Sequence, residues 1–173
     1  MTYVLPGLWP DDHPKESSNY GGYSSNSISK AWFSVALDNP CLFNVLLLSA
    51  VAHRGVLRGI NNPHQDRRAL SYKIKCIQQL NEIISDGVKA LTDEVILTIL
   101  GLAAHDFVQV PDKGSRPFNS PLQNAGALSF YGAVQYVPEH MRALTQLVSL
   151  RGGIDNLTMP GLSESIVMLV DSW

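Results

Sequence analysis

Residues 139–157, EHMRALTQLVSLRGGIDNL, constrain the fold more than any other stretch of this chain. Met141, Leu144, Leu147 and Val148 recur at the three-four spacing that puts apolar side chains on one helical face. Pro138 suits a first helical turn, where its missing N–H goes unused. Arg151 falls in the last turn, where a cation meets the negative end of the helix dipole. Gly152 and Gly153 follow at once, and glycine tolerates the left-handed cap that closes a helix. The expected path is a helix, a glycine stop, a short return carrying Ile154 and Leu157, a turn at Pro160-Gly161 and a second apolar helix. Taken alone, this is a helical hairpin without chemistry.

A chain of 173 residues favours one domain and can bury a core without staples. Only 16% of its residues are charged and the net charge is −2, so there is no overall electrostatic drive towards nucleic acid. Cys41 and Cys76 are the only cysteines, and both fall in apolar helical patterns. They are expected to act as small buried hydrophobes in a reducing intracellular compartment. No Cys-x-x-Cys appears, so no zinc site of that kind is encoded. The N-terminus lacks the basic start and apolar run of a signal peptide. The apolar region 41–52 is broken by Asn44 and Ser49 and meets His53 and Arg54, too short and polar to span a bilayer.

Residues 1–29 read as a flexible tail, because Ser, Asn, Gly and Pro dominate and aliphatics are scarce. Residues 30–173 read as one helical domain. Trp32, Phe33 and Leu37 form a short apolar lead-in, and Asp38-Asn39-Pro40 supplies cap residues for a helix over 40–57. That helix is apolar almost all round, which implies burial on several sides. A second helix is expected over 64–86, with a core stripe of Leu70, Ile74, Ile77, Leu80 or Asn81, and Ile84. Thr92 is the expected cap of a third helix ending near Val108, the most buried of the set. Residues 110–138 read as an irregular loop whose conformation the sequence leaves open. The expected fold is all-α, an array of antiparallel helix pairs with about five helices.

Chemistry is sparse. His13, His53, His64, His105 and His140 form no helical pair with metal-ligand spacing. No nucleophile elbow, phosphate loop or dinucleotide fingerprint is present. Arg151-Gly152-Gly153 lies at a helix C-terminus, the wrong dipole end for an anion. No catalytic, cofactor-binding or metal-ligating residue is assigned.

The order of these features resembles the regulatory domain of fungal zinc-cluster transcription factors. His140, Leu144, Leu147, Val148, Arg151, Gly152, Gly153, Leu157, Leu162, Ile166 and Asp171 carry the resemblance in the hairpin. Upstream, Trp32, residues 50–53, Tyr72-Lys73, Leu80-Asn81 and Thr92-Asp93 stand in the same order as in that family. The resemblance implies an all-helical regulatory region in a nuclear protein that controls transcription by RNA polymerase II. It implies as partners the transcriptional machinery or homologous transcription factor chains, with a small-molecule effector in some members. The family's six-cysteine cluster is absent here, so zinc and direct DNA binding are not expected of this chain, and no membrane role is implied. The family's domain continues past the position of Asp171, so the array is expected to be part of a larger helical domain. The alternatives are a generic helical protein-binding scaffold and a small helical enzyme. A pocket gathering His53, His105 or His140 with a carboxylate would favour the enzyme.

Overall fold

The computed structural model describes residues 25–58, 66–87, 89–109 and 135–171. Six α-helices lie among the described residues: α1 Ser25–Asp38, α2 Pro40–Leu57, α3 Arg67–Ser85, α4 Asp93–His105, α5 Pro138–Leu150 and α6 Leu162–Asp171. Short 3-10 turns stand at Lys89–Leu91 and Ile154–Asn156. A two-stranded antiparallel ribbon pairs β1 Phe107–Gln109 with β2 Gln135–Tyr136. The fold is all-α, as the periodicity requires.

Local chemistry sets several boundaries. Asn39 caps α2 by accepting from the Leu42 N–H at 3.1 Å, and Pro40 occupies the first turn. Asp66 caps α3 by accepting from the Arg68 N–H at 2.8 Å. The end of α5 is a Schellman motif: Gly153 N–H bonds to the Val148 carbonyl at 2.9 Å and Gly152 N–H to that of Ser149 at 3.0 Å. Both glycines have positive φ, 99° and 102°, which side-chain-bearing residues rarely adopt.

The core is built around α4. Its apolar residues Val95, Ile96, Leu97, Ile99, Leu100, Leu102 and Ala103 are all buried. It packs against α2, α5 and α6. Leu42, Val45 and Leu48 enter from α2, Met141, Leu144 and Leu147 from α5, and Leu162, Ile166 and Leu169 from α6. Gly101 lets α2 and α4 approach, since a Cβ there would collide with Val45 Cγ1. Among the described helices α2 is the one long and apolar enough to cross a membrane, by length and composition alone, and here Leu42, Val45 and Leu48 on it pack into the core.

Several expectations need correction. The first helix opens at Ser25, inside the stretch read as tail, and is four turns long rather than a short lead-in. Helix α4 ends at His105, and residues 107–109 pair as strand instead of continuing the helix. Most consequential is α3. The stripe read as its core face is turned largely outward, with Leu70, Ile74 and Ile84 exposed. The buried positions are Ala69, Cys76 and Leu80. Leu80, one of the expected positions, is buried, but the rest of the inward side is Ala69 and Cys76 with Tyr72 and Ile83 beside them, so hydrophobicity misplaced most of the face. The tail 1–24 and the loop residues 110–134 lie outside the described residues.

Candidate functional site

Two buried carboxylates stand at opposite ends of α4, Asp93 in its first turn and Asp106 at its C-cap. Each gathers residues from distant parts of the chain.

Asp93 receives the return of the hairpin. Its Oδ2 accepts from the Thr158 N–H at 2.7 Å, the Thr158 hydroxyl at 2.8 Å and the Met159 N–H at 2.9 Å. Arg151 Nη2 lies 3.5 Å from the other oxygen. Burial pushes this carboxyl up, but the Thr158 and Met159 hydrogen bonds and the Arg151 charge outweigh it and hold the group below the usual carboxylate range. The negative charge also sits at the positive end of the α4 dipole. Thr92, the expected cap, makes no side-chain capping bond. One residue further on, Pro160 offers its carbonyl to the indole N–H of Trp32 at 2.8 Å, which ties α1 to the same return.

Asp106 sits at the other, negative end of α4, where a carboxylate is unfavourable by itself. Two donors compensate. Lys73 Nζ lies 2.7 Å from Oδ2 and donates to Oδ1 at 2.9 Å. His140 Nε2 lies 2.9 Å from Oδ2 and carries the proton of that bond when Asp106 is ionised. Burial raises the Asp106 pKa, yet the bonds from His140 and Lys73 bring it below the ordinary value. Asp106 therefore joins α3, α4 and α5.

A histidine hydrogen-bonded to a buried carboxylate is an arrangement that some enzymes use and that folds also use to join helices. Both oxygens of Asp106 are held, by Lys73 and by His140. Among the described residues no three His, Cys, Asp or Glu side chains are gathered for a metal ion. His53 is buried in α2, and His13 and His64 lie outside the described residues.

Of the motif residues, His140 reaches Asp106 and Arg151 reaches Asp93. Leu144 and Leu147 enter the core, and Gly152 and Gly153 make the cap. Asp171 stands exposed as the last residue of α6. Sequence reasoning assigned no contact to Asp106, Lys73 or Thr158. Their partners are 33 to 65 residues away, and no local spacing signals them.

The exposed stripe of α3 is the other notable feature. Leu70, Ile74, Ile77, Asn81 and Ile84, of which Ile77 is half-buried, follow a 4-3-4-3 spacing over about two heptads, the spacing of a and d positions in a coiled coil. Ile74 and Asn81 take the a positions, and Leu70, Ile77 and Ile84 the d positions.

A family model described as the fungal specific transcription factor domain matches residues 3–172. No curated protein and no solved structure matches the chain.

Proposed function

This chain belongs to the fungal specific transcription factor domain family, and from that membership we propose that it is a regulatory and interaction domain controlling transcription by RNA polymerase II. It works in the nucleus, and DNA contact is supplied from outside this stretch of sequence. The match over residues 3–172 carries the proposal. The sparse charge of the chain, 16% with a net −2, agrees with a role in protein contacts rather than phosphate binding.

The partner we infer is a second copy of this chain, seated on α3. A single Asn at an a position of an apolar seam favours a defined register and oligomer state. The e positions beside the seam are Ser71, Gln78 and Ser85, so self-pairing places no like charges opposite one another there. Lys73, on the other flank, is already paired with Asp106.

The test joins the full chain to an unrelated DNA-binding module in a fungal reporter strain. The expected result is a several-fold change in reporter output relative to the module alone. Ile74→Lys, at a side chain 54% exposed, is expected to leave the fold intact and to abolish both self-association in sedimentation and part of the reporter effect. Unchanged output from a folded, nuclear fusion would overturn the regulatory reading. A monomer at every concentration would overturn the pairing alone.

A further inference from the structure

We propose that Cys41 and Cys76 form a thiol pair that a hydroperoxide converts into a disulfide joining α2 to α3. Their Sγ atoms lie 3.5 Å apart, although 35 residues separate them in sequence. Both are free thiols and both are buried, at 2% and 0% exposure. The Cys41 thiol is also within 3.3 Å of the Cys76 carbonyl, where it donates in the reduced state. A side-chain bond from Asn44 Nδ2 to Gln79 Oε1, 3.0 Å long, lies three residues further along each helix and holds the two helices in register. The sulfurs need close by only about 1.5 Å to reach bonding distance.

The two thiols are not equivalent. Cys41 follows Pro40 in the first turn of α2, at the positive end of the helix dipole, which favours a thiolate. Cys76 lies in the middle of α3 and packs in the apolar core. The hydrogen bond between them lowers the Cys41 pKa, against the opposing effect of burial. The same bond and burial raise that of Cys76. Pro40, next to Cys41, is exposed, which places Cys41 one residue from the surface in sequence.

The roles follow from this asymmetry. The Cys41 thiolate attacks one oxygen of hydrogen peroxide and breaks the O–O bond. The departing hydroxide takes up a proton and leaves as water, and Cys41 becomes a sulfenic acid. The Cys76 sulfur then attacks the Cys41 sulfur and displaces its hydroxyl, which leaves as a second water with the Cys76 proton. Two thiols and one peroxide give one disulfide and two waters. Two small buried cysteines that merely fill the core would show no such order of attack.

The full-length reduced chain is treated with hydrogen peroxide under native conditions, then unfolded, alkylated with iodoacetamide and weighed intact. The expected product has lost two hydrogens, carries no alkyl group, and yields a peptide linking Cys41 to Cys76. Proximity should make this at least about tenfold faster in the folded chain than in denaturant. Oxidation should also raise the melting temperature, reversibly with dithiothreitol. Cys76→Ala should leave Cys41 as a sulfenic acid that dimedone traps, whereas Cys41→Ala should leave Cys76 unreacted. Full alkylation of both sulfurs after native treatment would overturn the proposal. So would oxidation no faster in the folded chain than in the unfolded one.

Discussion

Thr158 donates twice to one oxygen of Asp93, from its backbone N–H at 2.7 Å and from its hydroxyl at 2.8 Å. One side chain thereby closes a hairpin 65 residues away, and α4 and the 151–160 return become a single unit. Replacing Asp93 by Ala leaves the Thr158 and Met159 N–H groups without their acceptor and Arg151 without its partner. A loss on the order of 3 kcal/mol is expected from unfolding in urea. Asp93→Asn keeps an accepting oxygen and should lose roughly half as much.

The Asp106 node makes stability pH-dependent. Its carboxyl is held below its ordinary value in the folded chain. The stabilisation is complete above the unfolded carboxyl pKa of about 3.9 and is lost as pH falls through the lower folded value. Asp93 contributes in the same direction. Asp106→Asn should lower stability at neutral pH by roughly 1.5–3 kcal/mol, because it removes the charge that the partly exposed Lys73 and His140 bond to. It should also flatten the acid limb of melting temperature against pH. An acid limb unchanged in slope would show that Asp106 does not titrate as described.

Gly101→Ala adds a methyl group against Val45 Cγ1 in a packed seam. The helix-propensity gain of about 1 kcal/mol is opposed by overpacking of roughly 1–3 kcal/mol. Net destabilisation is expected. Val45→Ala should be less harmful in the Gly101→Ala background than alone, and a double-mutant cycle measures that coupling.

Gly153 has open space around its Cα, whereas a Cβ at Gly152 would lie 2.8 Å from Asn156 Nδ2. Both have positive φ. Ala at Gly153 should therefore cost about 1–2 kcal/mol from backbone strain alone, and Ala at Gly152 more. Equal losses in thermal unfolding would mean that Asn156 gives way freely.

Leu144 is fully buried where α5 meets the core. Leu144→Ala should cost roughly 2–5 kcal/mol through lost transfer energy and the cavity left behind. A loss below about 1 kcal/mol by urea unfolding would contradict its placement in the core.

What the sequence by itself determined is the all-helical class, the span of α2 and several of the stops between helices. The span of α2, the cap at Asn39, the burial of α4 and the glycine end of α5 are all written in residues a few positions apart. Helix formation and capping depend on neighbours within a turn or two, so local spacing suffices. Which face of α3 turns inward was decided only by the tertiary structure. Most of its hydrophobic stripe stays exposed, and Ala69, Cys76 and Leu80 are the residues buried instead. Only the folded chain brings Lys73 and His140 to Asp106, Thr158 to Asp93, and Cys41 to Cys76. Each pairing spans at least 33 residues, and its energy depends on a distance that no local pattern encodes.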